Sequence, residues 1–211
     1  MRLYLIRHAE SQGNREMRLQ GRQEFPLTGR GRQQAQALAE RLSGRPLSAV
    51  YASPIRRCVD TAAPLAQQAT LPVQLEPRAQ EYDFGPLLSG LTWRESRERR
   101  PELIEALLSG SEEFPHYPGE EGREHFRERV KAVLWEIAER HHDDEAVAMV
   151  THAGPIAVLL LEVLGLPYRR PIPFTVDNAS VTTIEFVNEA PAGFPGVVLV
   201  GLNDTCHVRA D

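Results

Sequence analysis

The chain has 211 residues, 42% of them hydrophobic and 25% charged, with a formal net charge of -5. This is an ordinary globular composition, long enough to bury roughly 70% of its extended-chain surface, and the acidic balance argues against general affinity for nucleic acid or membrane surfaces. The two cysteines lie far apart and suit reduced thiols in a cytoplasm better than a disulfide framework. The longest strongly apolar stretch, residues 156–161, is far too short to cross a bilayer. Lys131 is the only lysine among 24 basic residues, which excludes a P-loop nucleotide site, where a lysine must follow the glycine-rich loop.

In chain order, the first element is a short apolar run, Leu3-Tyr4-Leu5-Ile6, ending at Arg7-His8. Met1 leads into it within two residues, which is read as leaving no signal peptide. Thr28 is placed to cap a helix running through residues 33–42 with Ala35, Leu38 and Leu42 on its buried face, and Gly44 stops it. A strand over 49–53 leads to Arg56-Arg57 and a helix over about 56–68, followed by a short strand at 73–75. Between 86 and 122 the pattern changes. Prolines at 86, 101, 115 and 118 and one helix over 92–108 predict an insertion over the sheet rather than a second domain. A long amphipathic helix over about 124–141 precedes the strand 146–151, which delivers His152. A helix over 155–164 follows, ended by Gly165 and Pro167. Residues 181–187 and 197–200 predict an antiparallel strand pair at a sheet edge. The alternation predicts one α/β domain, residues 1–211, in three α/β/α layers: a mostly parallel sheet, helices on both faces, and the insertion over the active site.

Three apolar strands thus run into cationic or imidazole side chains. In open α/β sheets the ligand crevice lies beyond the carboxyl ends of the strands. A guanidinium presents a planar fork to phosphate, and an imidazole is a competent nucleophile or proton donor near neutral pH. Their convergence points to phosphoryl chemistry.

Leu5-Ile6-Arg7-His8-Ala9-Glu10-Ser11-Gln12-Gly13-Asn14 resembles the signature of the histidine phosphatase superfamily, which includes the cofactor-dependent phosphoglycerate mutases. Ser53-Pro54-Ile55-Arg56-Arg57-Cys58-Val59-Asp60-Thr61-Ala62, Gln80-Glu81-Tyr82-Asp83-Phe84-Gly85 and Thr151-His152-Ala153-Gly154 resemble its next three motifs in the expected order. Asn178-Ala179-Ser180 and the stretch 202–207 resemble the closing strands of its small-phosphatase branch. The resemblance implies His8 as the nucleophile that forms a phosphohistidine, with its second ring nitrogen held by a backbone acceptor. It implies Arg7 and Arg57 as the groups neutralising the phosphoryl oxygens, with His152 donating from the opposite side. Arg56 competes with Arg57 within its dipeptide; Arg57 matches the family position before Cys58. Glu81 is the implied general acid, and Asp83 lies close enough in sequence to compete with it. Ser11 and Asn14 are candidate phosphate donors as well as candidate loop-stabilising residues.

Three departures from the family pattern stand out. Ala9 replaces a glycine, the run after Gly85 lacks the usual tryptophan and acid, and in residues 118–122 Glu120 replaces a glycine and Gly122 a serine. All but the first lie in the segment that shapes the substrate mouth, where Leu87, Leu88, Trp93, Phe114 and Tyr117 are expected to form an apolar and aromatic lining. His116 also belongs to this mouth. His141-His142-Asp143-Asp144 reads as a helix end rather than a metal cluster, Cys58 as a packing residue and His207 as a structural partner. The resulting expectation is a cytoplasmic, metal-independent hydrolase of small phosphate monoesters with no cofactor and with a homodimer as an open possibility. A cofactor-dependent phosphoglycerate mutase and a non-enzymatic phospho-ligand binder are the alternatives.

Overall fold

A computed structural model describes residues 1–108, 116–168, 172–187 and 196–208. Phe114, expected in the substrate mouth, lies outside them. Six strands form one sheet: β1 (Arg2–Arg7), β2 (Leu47–Ala52), β3 (Val73–Leu75), β4 (Ala146–Thr151), β5 (Val181–Phe186) and β6 (Val197–Asp204), in the spatial order β3-β2-β4-β1-β5-β6. Strands β1 to β4 pair in parallel. β5 runs antiparallel to β1, and β6 antiparallel to β5, so only β5 opposes the common direction.

The central strands are apolar throughout because helices cover both faces. Alternation along β1 divides the core. Leu3 and Leu5 point into one cluster with Val147, Met149, Phe126, Val130, Leu134 and Ile156, beneath α7 (Arg123–Arg140) and α8 (Ala153–Val163). Tyr4 and Ile6 point into the other with Leu38, Leu42, Leu65 and Ala148, beneath α2 (Gly29–Leu42) and α3 (Arg56–Ala69). The three-layer α/β/α arrangement expected from the sequence is the observed one.

Helix α1 (Gln12–Arg15), a single turn, was not foreseen, nor was α4 (Gly85–Leu88). The helix expected over 92–108 is two, α5 (Trp93–Arg99) and α6 (Pro101–Leu108). The break falls at Arg100, with φ -143° and ψ 55°, because a residue before proline is driven out of the helical region and Pro101 has no N–H to continue the ladder. These helices carry a small core of their own, Leu19, Leu88, Ile104, Leu107 and Tyr117. Arg94 and Arg99 pair with acids on the same exposed helix face.

Candidate active site

The register brings the two histidines together. Arg7 pairs with Thr151 across β1 and β4, so His8 and His152 each stand one residue past the last rung. The His8 N–H donates to the Thr151 carbonyl at 2.9 Å, and the rings meet edge to face with centroids 5.2 Å apart. Both residues are buried.

His8 is held in one tautomer. Its Nδ1 lies 2.8 Å from the Ala9 carbonyl, which can only accept, so Nδ1 carries the proton and Nε2 keeps its lone pair. That lone pair accepts a 3.2 Å hydrogen bond from Arg57 Nε. Burial, then the Arg57 and Arg7 charges, push the His8 pKa well below the usual imidazole value. Burial, with Arg57 again the leading charge, does the same to His152. The lowered values favour neutral rings, and a neutral imidazole with an unprotonated Nε2 is chemically a nucleophile.

Arg57 stands at the start of α3, 1% exposed. Its other nitrogens donate to the Gln23 and Gly21 carbonyls at 2.8 and 2.7 Å, tying the 21–23 loop to the site. Arg56 points outward and pairs with Asp60 at 3.4 Å. Arg7 Nη1 donates to the Val176 carbonyl at 2.6 Å, while its buried Nε has no partner among the described residues. Such a donor is satisfied by an anion. Burial lowers the pKa of both guanidiniums, which raises their preference for a negatively charged neighbour.

Glu81 Oε1 accepts from the Tyr82 N–H at 2.8 Å and Oε2 from the Gly154 N–H at 3.2 Å. Gly154 permits this approach: a Cβ there would meet Glu81 Oε1 at 2.1 Å. Arg129 fixes the Glu81 backbone, donating to the Gln80 and Glu81 carbonyls at 2.8 and 3.1 Å while pairing with the buried Glu121. Asp83 instead accepts from the Gly85 N–H at 2.9 Å, a local turn contact, and its carbonyl receives the Glu121 N–H.

Ser11 and Asn14 form a capping box on α1. The Ser11 hydroxyl is fully buried and lies 2.8 Å from both Asn14 Oδ1 and Gln20 Oε1. Asn14 Oδ1 also receives the Ser11 N–H at 3.1 Å and Asn178 Nδ2 at 3.3 Å. Ser11 Oγ and Asn14 Oδ1 are therefore engaged in holding the loop after His8.

Four supporting residues escaped sequence reading. Ser53 Oγ lies 2.9 Å from His152 Nε2. Thr61 accepts from the Ala9 N–H at 3.0 Å and donates to the Arg57 carbonyl at 2.6 Å, linking the loop after His8 to α3. Asn178 donates to the His8 carbonyl at 2.9 Å, and Arg129 acts on Glu81 as above. Ser53, Thr61 and Asn178 all stand inside the motif stretches, the one signal that could have singled them out.

Cys58 Sγ sits 3.4 Å from His152 Nε2 and 3.5 Å from the Thr151 carbonyl, and burial pushes its pKa up, away from thiolate formation. His141 rests against Tyr51 and Glu145, and His207 Nε2 holds the Ala179 carbonyl at 2.9 Å. A surface hollow of about 920 Å³ lies beside Trp135, His142 and Asp143, next to the amino-terminal end of β4 and so at the opposite end of the sheet from His8. Beside the site itself, two adjoining hollows of about 670 and 170 Å³ share Leu107, Gly154 and Ile172; the first contains Arg7, the second Glu81. Among the described residues their aromatic lining is Tyr82, Phe84, Phe126, Tyr168 and Phe174, and the expected Trp93 and Tyr117 are not part of it. Tyr117 and Leu88 pack in the small core instead, and exposed His116 pairs with Glu120.

The family model of the histidine phosphatase superfamily (branch 1) matches residues 3–193. The chain is 34% identical to "Phosphoserine phosphatase 1" of Hydrogenobacter thermophilus, over 99% of this chain and 94% of that protein. It is 30% identical to "Probable phosphoglycerate mutase GpmB" of an Enterobacter species, over 100% and 96%. Among solved structures, Bacillus stearothermophilus YhfR superimposes with a TM-score of 0.88 at 28% identity, covering 99% of each chain. The alpha-ribazole phosphatase of Shigella flexneri gives 0.84 at 27%, covering 97% and 96%. The chain belongs to the histidine phosphatase superfamily. No helix among the described residues is long and apolar enough to cross a membrane.

Proposed function

We propose that this chain, one histidine phosphatase domain with residues 86–122 as its substrate mouth, hydrolyses phosphate monoesters of small metabolites through a phosphohistidine at His8. The protein is a phosphoric monoester hydrolase, the activity for which several of its relatives are named. The observation that carries the reading is the placement of the His8 ring, its Nδ1 2.8 Å from the Ala9 carbonyl and its Nε2 facing Arg57 Nε at 3.2 Å, with the His152 ring 5.2 Å away.

In the first half-reaction the His8 Nε2 lone pair attacks phosphorus in line and the ester P–O bond breaks. Glu81 gives its proton to the departing alcohol oxygen. Arg7, Arg57 and His152 surround the phosphoryl oxygens, over which the transition state spreads its charge. Arg57 Nε exchanges His8 for a phosphoryl oxygen as the ester arrives. In the second half-reaction Glu81 takes a proton from water, the water oxygen attacks phosphorus, and the P–N bond breaks to return neutral His8. Asn14 and Ser11 hold the nucleophile loop beside the bound phosphate. No step calls for a metal or cofactor, and we place the protein in the cytoplasm with both cysteines reduced.

The kinship with a protein named as a mutase favours one second reading, return of the phosphoryl group to a phosphoglycerate instead of water. The deciding experiment is a rapid quench with a radiolabelled ester. The expected result is an acid-labile, alkali-stable phosphoenzyme absent from His8→Ala, with turnover intact in EDTA. Label retained in His8→Ala, or activity lost on chelation, would overturn the proposal. Isomerisation of phosphoglycerate dependent on bisphosphoglycerate would establish the mutase.

A further inference from the structure

The two hollows at the site share three wall residues; the larger holds Arg7, and the smaller, a chamber of about 170 Å³, holds Glu81. In the phospho-His8 reading, a phosphoryl group held between Arg7, Arg57, His8 and His152 would turn its ester oxygen to Glu81, which lines that chamber. The body of the alcohol would then continue into that chamber.

The chamber's walls are specific. Tyr82 meets Phe84 and Phe126 edge to face, with centroids 5.3 Å apart in both pairs. Its hydroxyl donates to Glu120, the residue that departs from the family's glycine, so the ring is anchored at its far end. Tyr168 lies beneath the Arg123 guanidinium, 4.9 Å from its ring centroid, and its carbonyl accepts from the same side chain. Among the described lining residues Arg123 is the one cation and Glu81 the one anion. At about 170 Å³ the chamber is well below the size of drug-like pockets and accommodates a single ring. Aromatic edges and faces complement a flat ring better than a puckered one, and a guanidinium complements a carboxylate.

We propose that the preferred substrate is a phosphate monoester whose alcohol bears one flat, unsaturated ring with an anionic substituent. The ring would occupy the Tyr82–Phe84–Phe126–Tyr168 chamber and the substituent would reach Arg123, making Arg123 and Phe84 specificity residues. This rests on the phospho-His8 reading above.

Benzyl, 4-carboxybenzyl and cyclohexylmethyl phosphate test it, since their leaving alcohols are of similar basicity and differ in flatness and charge. The expected order of kcat/KM in the native chain is 4-carboxybenzyl, then benzyl, then cyclohexylmethyl. Arg123→Met should lower the carboxybenzyl-to-benzyl ratio at least tenfold, about the strength of one charge-assisted hydrogen bond. Phe84→Leu, close in volume, should bring the benzyl-to-cyclohexylmethyl ratio to about one. A native chain indifferent among the three esters, or ratios unmoved in folded variants, would overturn the inference. If either variant fails to fold, the native order alone decides. His8→Ala separates the two levels: hydrolysis of all three esters surviving in it refutes the phosphohistidine, whereas its loss alongside flat selectivity refutes only the chamber's role.

Discussion

Gly154→Ala gives a direct test of Glu81. The added methyl would stand 2.1 Å from Glu81 Oε1 and 3.2 Å from the Phe126 ring, where ordinary contact begins at 3.4 Å. The carboxylate must retreat by about 1.3 Å, because the ring blocks the other side. Gly154 is the second residue of α8, where alanine is intrinsically favoured by about 1 kcal/mol, so the helix itself does not suffer. A proton donor placed for general acid catalysis contributes roughly 10²–10⁴ in rate, and a shift of about 1 Å is enough to forfeit roughly a hundredfold. The expected result depends on the leaving group. With an alkyl phosphate such as glycerol 3-phosphate, whose alkoxide cannot depart unprotonated, kcat/KM, which reads phosphoenzyme formation and not the later attack of water, should fall about a hundredfold. With p-nitrophenyl phosphate, whose phenolate leaves without help, it should fall less than about tenfold. Steady-state kinetics on the two esters, with a thermal melt to show the fold retained, provide the assay. Equal losses on both would mean that the methyl acts on packing or phosphate binding, and no loss on either would remove Glu81 from the mechanism.

Stability should decline as pH falls below about 6.5, the ordinary imidazole range. His8 and His152 have folded-state values depressed by burial and by Arg57, so the unfolded chain binds protons there that the native chain refuses. Thermal melts from pH 8 to 5 should show the loss, with a shallower slope in His152→Gln; a flat profile would contradict two neutral buried rings. Arg57→Lys should lower kcat/KM at least about a hundredfold, since an ammonium cannot reach His8 and the Gly21 and Gln23 carbonyls together; a loss within threefold would refute that role. Alkylation of the native protein followed by mass spectrometry should modify exposed Cys206 and spare buried Cys58 until unfolding. Labelling of Cys58 in the native fold would count against its packing role.

The strand ends were legible because the pattern is local: a buried parallel strand is a short apolar run, and the polar residue that ends it must emerge at the crevice. Arg7, His8 and His152 needed nothing more. Choosing Arg57 over Arg56 already required the family motif, since either could be aimed inward by a small rotation at the start of α3. The groups that position the site were hidden for a different reason. Arg129 belongs to an amphipathic helix and reads as one of its solvated charges, yet it reaches residues 78–81 and Glu121 across the fold. The sequence pattern points to Trp93, Phe114 and Tyr117 as the aromatic walls because these fall within the insertion, and of the three Phe114 lies outside the described residues. The chamber instead takes Phe126 and Tyr168 from segments later in the chain, which only tertiary packing brings there.

The family departures divide by which part of the residue the site uses. At position 9 it uses the backbone alone: the N–H bonds Thr61 and the carbonyl fixes His8, while the Ala9 methyl packs with Leu27, Ala35 and Ala179. Ala9 is not among the residues with positive φ, so the methyl meets no backbone penalty. Alanine for glycine there leaves the nucleophile's geometry intact. At position 120 the side chain matters. Glu120 reaches the Tyr82 hydroxyl, the Gly122 N–H at 2.6 Å and His116 at 2.8 Å, contacts no glycine can make. One substitution is silent to the chemistry, and the other anchors a wall of the chamber that receives the alcohol. If the chamber receives the alcohol as proposed, divergence at position 120 acts on which ester enters, whereas divergence at position 9 leaves the contacts of His8 as they stand.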